Sequence, residues 1–254
     1  MTREKIRVTV WNEFHDDKKW KIITDFYSGG VHAYLGKILQ EQNPDFEVTV
    51  QTLDDTDQGL ADELLDRTDV LIWYSHVRDH LVEDRHIQKI LDRVIHEGMG
   101  VIFLHSGVFS KLARNLIGPR GKGAYREIEE LERVFVIDRS HPIADGLPEY
   151  FEFPASEMYS EPSDIPTPDQ LIFISWYAGG NVGRSGYTYR RGAGKIFCFT
   201  PGHCWYDVMR YPEFHQVTAN GVRWAKPVQK PAVQSCGRIE ALVPQRTEQI
   251  KIES

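Results

Sequence analysis

Short runs of β-branched and aromatic residues alternate with stretches of helical periodicity through the first half of the chain, and few folds accommodate that order. Residues 7–11 (RVTVW), 46–53 (FEVTVQTL), 70–74 (VLIWY) and 101–104 (VIFL) read as four buried strands. Between the first two, Val31, Leu35, Ile38 and Leu39 share one helical face. Leu60, Leu64 and Leu65 do the same in the next connection, with Thr56 or Asp57 as the expected N-cap. The third connection, which Asp79 and His80 are expected to begin, is the clearest. Ile87, Ile90, Leu91, Val94 and Ile95 form an i, i+3, i+4, i+7, i+8 stripe, and Gly98 stands where a helix end takes a left-handed residue. Such repetition predicts an α/β fold, a parallel sheet covered by crossover helices.

Beyond residue 107 the pattern loosens. Residues 110–117 suit a short helix before the glycine-rich GPRGKGA loop. Residues 132–138, 171–176, 186–189 and 195–200 read as further strands set apart by proline-bearing turns, so antiparallel additions to the sheet are expected. Phe214, Val217, Gly221, Val222 and Trp224 fit a last helix that Lys226-Pro227 ends. Residues 1–225 are therefore expected to form a single domain around a mostly parallel sheet. Residues 226–254 form a tail in which IEALVP is a candidate edge strand or subunit contact in a homo-oligomer.

Charge and cysteine content narrow the functional classes. A formal charge of −7 gives no basic field for phosphates, so nucleic acid is not an expected partner. No apolar run approaches the ~20 residues a membrane helix requires, and the start lacks an apolar stretch followed by a cleavage site. Cysteines at 198, 204 and 236 show no CxxC spacing and suit a reducing compartment, so the expected location is the cytoplasm.

Open parallel sheets bind ligands beyond the carboxyl ends of their strands. Four strands here end in reactive groups: Asn12 and Glu13, then Ser75 and His76, then His105, Ser106 and Gly107, and finally Pro201, Gly202 and His203. Three histidines from distant strand ends suit either general acid/base work or a first-row divalent metal such as zinc. The metal would draw on His32, His76, His105, Glu157 and His203, although Glu157 sits between the expected strands, where a solvated glutamate is equally expected. Ser106 lacks the flanking glycines of a nucleophile elbow. Centred on His105 the pattern keeps one glycine, Gly107, and places an imidazole where the nucleophile would stand. The segment FYSGGVH offers backbone amides for an anion or a sugar hydroxyl, with helix capping the more ordinary use. Trp205, Tyr206 and other aromatic residues near strand ends suit sugar rings, or the core.

Taken together, VLIWYSH, GMGVIFLHSG, RSHPIADGLPEYFEF, EMYSEPSDIP, RSGYTYRRGAGKIFCFTPGH and NGVRWA make the sequence resemble the ThuA-like, or trehalose-utilisation, proteins over most of residues 6–225. The resemblance implies the flavodoxin-like three-layer sandwich of the class I glutamine amidotransferases. Those enzymes carry a cysteine at the elbow; here His105 occupies it, His203 stands at the triad histidine's place, and glutamine hydrolysis is disfavoured. A role in disaccharide metabolism follows, on trehalose or on a keto-sugar made by a partner oxidoreductase. The leading expectation is a zinc-assisted enzyme performing isomerisation, elimination or hydrolysis, with His105, His203 and Glu157 catalytic and Asn12, Glu13, Ser106 and Tyr159 holding the sugar. A non-catalytic sugar-binding or regulatory protein is the alternative, and serine hydrolysis through Ser106 ranks last.

Overall fold

The computed structural model describes residues 5–119, 121 and 123–228. Nine strands are joined in one sheet: β1 (Ile6–Asn12), β2 (Phe46–Thr52), β3 (Val70–Tyr74), β4 (Gly100–Leu104), β5 (Ala124–Val136), β6 (Tyr150–Ser160), β7 (Gln170–Tyr177), β8 (Val182–Arg191) and β9 (Gly194–Phe199). Helices α1 (Asp16–Lys19), α2 (Lys21–Phe26) and α3 (Val31–Gln42) lie between the first two strands, and α4 (Asp62–Arg67) and α5 (Asp84–Glu97) fill the next two connections. A short α6 (Lys111–Leu116) and α7 (Pro212–Ala225) are the remaining α-helices among the described residues.

The spatial order is β2-β1-β3-β4-β9-β8-β7-β5-β6. Its first five positions are parallel and follow the 2-1-3-4-5 order of flavodoxin-like sheets. The other four pairings are antiparallel. The expectation of a mostly parallel sheet is thereby corrected: half of the pairings are antiparallel, because turns and loops without a crossover α-helix connect β5 through β9.

Alternation along the parallel strands divides the core in two. Val8, Val10, Ile72, Ile102 and Phe197 pack with Leu35 and Leu39 of α3 and with Phe214, Val217 and Val222 of α7. Their neighbours Leu71, Trp73, Val101, Phe103 and Ile196 face Leu65 of α4, Ile87, Ile90 and Val94 of α5 and Leu112 of α6. Each fully buried side chain of this kind contributes roughly 1.5–3 kcal/mol. Helix α5 ends as its sequence requires, with Gly98 left-handed at φ +83° and its N–H bonded to the carbonyls of Arg93 and Val94.

Several local expectations are revised. Neither Thr56 nor Asp57 caps α4, whose N-cap is Ala61, because residues 56–59 form their own turn with Asp57 and Gln58 at positive φ. Asp79 and His80 lie in a separate short turn, Asp79–Leu81, and α5 begins only at Asp84. The strand expected from residue 132 starts at Ala124, and β6 occupies the segment read as a connection. Pro154 concealed β6, but β6 is an edge strand, where a missing N–H is tolerated. Of the tail, residues 229–254 lie outside the described residues, including IEALVP and Cys236.

The β5–β6 pairing carries register irregularities between Arg126, Glu130 and Glu132. Bulges of this kind bend a hairpin and re-aim its side chains. Just past β6, the Glu161 N–H donates to the Val182 carbonyl at 2.9 Å, so the far edge of the sheet curls back onto β8.

Candidate active site

The loops after β3, β4 and β9 each deliver one histidine to the same place. A nitrogen from each of His76, His105 and His203 lies within 4.8 Å of the other two. Their rings sit 5.1 to 6.0 Å apart, centroid to centroid. Each is fixed from behind. The His76 Nδ1–H donates to Asp16 Oδ2 at 2.7 Å, and the two oxygens of Glu13 accept the N–H groups of Val77 and Arg78, both at 2.8 Å. His105 Nδ1–H donates to the Thr200 carbonyl at 3.0 Å. His203 differs: its Nδ1 accepts the Trp205 N–H at 3.1 Å.

His105 also occupies the left-handed region at φ +50°, a conformation that costs an L-residue about 1–2 kcal/mol. Strain of this type belongs to elbows that push a side chain into a cleft. Two contacts hold the turn in place. The Ser106 hydroxyl donates to the Ser75 carbonyl at 2.7 Å, and Gly107 passes so close to β3 that a Cβ there would lie 2.9 Å from the Trp73 carbonyl oxygen.

The curled antiparallel half supplies the acids. On β6, Glu157 places Oε2 3.1 Å from His105 Nε2 and 3.8 Å from His203 Nε2. Two residues on, and so on the same strand face, the Tyr159 ring stacks on His105 with centroids 4.7 Å apart. From β5, Glu127 brings Oε1 to 3.6 Å from His203 Nε2.

Hydrogen bonding fixes the tautomers. With Nδ1 donating, the neutral rings of His76 and His105 carry their lone pairs on Nε2. His203, with Nδ1 accepting, carries its proton on Nε2. Burial, followed by the charges of His105 and His76, pushes the His203 pKa down to about 2, so this ring is neutral at physiological pH. Burial also opposes protonation of His76, but the bond to Asp16 and the charges of Asp16, Glu157 and Glu13 outweigh it and raise its pKa. The His76 bond in turn lowers the Asp16 pKa. Despite their proximity, His105 Nε2, Glu157 Oε2 and His203 Nε2 are all buried without a hydrogen-bond partner. Buried polar atoms are rarely left so, and three together mark a place built for something else. Two imidazole lone pairs and a carboxylate form a donor set that catalytic zinc takes, with each histidine held by an acceptor on its far nitrogen.

The other expected residues lie elsewhere in the network. His32 stays outside the three-histidine cluster, its Nδ1 3.4 Å from Asn12 Nδ2 and its ring against the edge of Phe14. Asn12 is engaged internally: Oδ1 accepts the Phe14 N–H and Nδ2 donates to Asp17 Oδ2. Asp17 Oδ1 accepts the Val31 N–H at the start of α3, the place where FYSGGVH suggests a bound anion, so that segment is capped by the chain itself. Glu13 spends both carboxylate oxygens on backbone N–H groups, and Ser106 donates to the Ser75 carbonyl while also bonding the Tyr159 hydroxyl, so both orient the loops that carry His76 and His105. Both thiols among the described residues, Cys198 and Cys204, are buried, and burial raises their pKa far above the ordinary thiol range. Neither replaces the absent elbow cysteine. Asp16 and Glu127 escaped sequence reading. The acidic pair after the first strand (HDD) was a signal for Asp16, whereas Glu127 sits in a run of acids, REIEELE, with nothing to single it out.

Comparisons with known proteins agree on the fold. A ThuA-like protein from Parabacteroides merdae superposes with a TM-score of 0.65 at 14% identity, covering 90% of this chain and 93% of its own. A cytoplasmic protein from Salmonella typhimurium gives 0.58 at 12% identity, over 87% of this chain and 100% of that one. A GMP synthase component from Thermoplasma acidophilum gives 0.50 at 15% identity, over 87% and 94% respectively, in line with an amidotransferase-like, flavodoxin-like architecture. No curated protein matches the sequence. No helix among the described residues is long and apolar enough to cross a membrane. The sequence pattern of the trehalose utilisation family, ThuA, matches residues 7–225, and the chain belongs to that family.

Proposed function

We propose that this chain is a metal-assisted enzyme acting on a disaccharide or on a keto-sugar derived from one. The observation that carries the reading is the meeting of His105 Nε2, Glu157 Oε2 and His203 Nε2, buried and unpartnered, beside His76. His76, His105 and Glu157 are the residues that would hold a divalent ion such as zinc, which when bound supplies Lewis-acid polarisation of a sugar carbonyl or hydroxyl. His203 directs its Nε2–H at the same space. As a neutral imidazole it is a hydrogen-bond donor for a developing oxyanion, the role a neutral histidine plays in sugar-phosphate isomerisation. The Glu127 carboxylate, 41% exposed and 3.6 Å from His203 Nε2, is placed to take a proton from carbon or oxygen next to that centre. Tyr159 closes one wall by stacking on His105. Proton abstraction beside a carbonyl accounts for isomerisation or elimination of a keto-sugar, and the same groups serve hydrolysis.

Such a substrate requires a partner oxidoreductase that oxidises a sugar hydroxyl. A cytoplasmic location is supported by the free thiols and by the similar Salmonella protein described as cytoplasmic. Metal analysis of the dialysed protein tests the reading. Stoichiometric zinc is expected in the wild type and its loss in His105→Ala and His76→Ala; full retention in both would remove the site. Tight sugar binding with no product over hours would instead identify a non-catalytic sugar-binding protein.

A further inference from the structure

Beside the histidine cluster runs a groove of about 520 Å³, lined by Trp20, Phe26, Trp205 and Tyr206 together with the carboxylates of Glu129 and Asp207. It is the direct continuation of the site. Three separate stretches of chain each place one residue at the histidines and another, two positions away, in the groove: Glu127 and Glu129 on β5, Glu157 and Ala155 on β6, and His203 and Trp205 after β9. On β6 this step is two residues of extended chain, roughly 7 Å and enough to clear one sugar ring, whereas His203 and Trp205 are joined by a turn that the Tyr206 N–H closes on the His203 carbonyl at 3.1 Å. The aromatic wall is continuous as well, since the Trp205 ring meets His203 at 5.3 Å and Trp20 at 5.6 Å, edge to face. Trp20 is 41% exposed, with the Lys19 ammonium 4.8 Å from its ring centroid.

We infer that this groove is a subsite for the second, non-reacting ring of a disaccharide, with Trp20 as its stacking platform. A pyranose presents C–H faces to aromatic rings and O–H edges to acceptors, and the groove offers indoles and phenyl groups flanked by two carboxylates. An apolar peptide or a lipid would have no use for Glu129 and Asp207. The inference rests on the sugar-processing reading of the adjoining site and adds to it where the second ring sits and which side chains hold it.

The test is calorimetric titration of trehalose and of glucose into the wild type, Trp20→Ala and Glu129→Gln, neither residue contacting the histidines. The wild type is expected to bind trehalose at least tenfold more tightly than glucose. Trp20→Ala is expected to erase most of that preference while changing glucose affinity less than twofold, and Glu129→Gln to reduce it. Binding of both sugars with a preference that survives both substitutions overturns the subsite and leaves the sugar site standing. Failure of the wild type to bind either sugar overturns the sugar-site reading and the subsite with it.

Discussion

His203 and His105 are both buried histidines at strand ends, yet their far nitrogens make opposite bonds, and this separates their roles. His105 gives its Nδ1 proton to Thr200 and keeps a lone pair for a ligand, whereas His203 receives the Trp205 N–H and keeps a proton. His203→Gln is therefore expected to retain bound zinc while losing about 10²-fold in turnover, the usual effect of removing one oxyanion donor. Metal content and kcat measured on the same preparation check this, and loss of the metal would make His203 a ligand. Glu132 provides a second residue-scale expectation. Burial raises its pKa from 4.5 to about 7, against the bonds from Ser156, Ser175 and Tyr177. Between those values the unfolded chain has released the proton that the folded chain still holds, so stability falls as pH rises through this window, by on the order of 3 kcal/mol. Urea denaturation at pH 5 and pH 8 is expected to show that loss in the wild type and a flatter profile in Glu132→Gln. The histidines themselves were legible in the sequence because each follows within four residues of the end of an apolar strand. Their orienting partners were not. Asp16 lies 60 residues from His76 and Thr200 lies 95 from His105, and no local pattern encodes such pairings.

Two glycines that look alike in sequence play opposite parts in their elements. Gly98 ends α5 at φ +83° with room around it, a Cβ there lying no closer than 3.5 Å to the Ala193 carbonyl oxygen. Gly107, after His105, has no positive φ but no room either, with the Trp73 carbonyl 2.9 Å from a Cβ. Gly98→Ala is expected to cost about 1 kcal/mol of stability from backbone conformation alone, with the site intact. Gly107→Ala must move the β4 turn away from β3, so it is expected to weaken zinc binding more than tenfold. Denaturation midpoints and zinc titration on both variants separate the two effects, and equal losses of affinity would contradict the assignment. Periodicity made the parallel strands legible to within a residue or two, because β1, β3, β4 and β9 are apolar and buried nearly throughout, whereas α4 and α5 begin about five residues later than their caps suggested, behind short turns of their own. The antiparallel half was harder to read. Strand β6 contains Pro154 and pairs through bulges, so its alternation is broken where it carries Glu157 into the site.

Across the whole molecule, the site lies on the seam between two differently built halves of one sheet. The flavodoxin-like half supplies His76, His105 and His203, and the curled antiparallel half supplies Glu157, Tyr159 and Glu127. Hydrogen bonding runs unbroken across the seam from β4 through β9 to β8. A ligand gripping both sides must therefore stabilise them together. Zinc at 100 times its Kd is expected to add about 2.7 kcal/mol, or roughly 5–10 °C in Tm for a chain of this size, in a single transition. The informative comparison is between substitutions on opposite sides of the seam. His105→Ala on the parallel side and Glu157→Gln on the antiparallel side are each expected to abolish the zinc-dependent rise. A shift surviving only in Glu157→Gln would mean that the flavodoxin-like half holds the ion alone and that the bent hairpin contributes walls but no ligand.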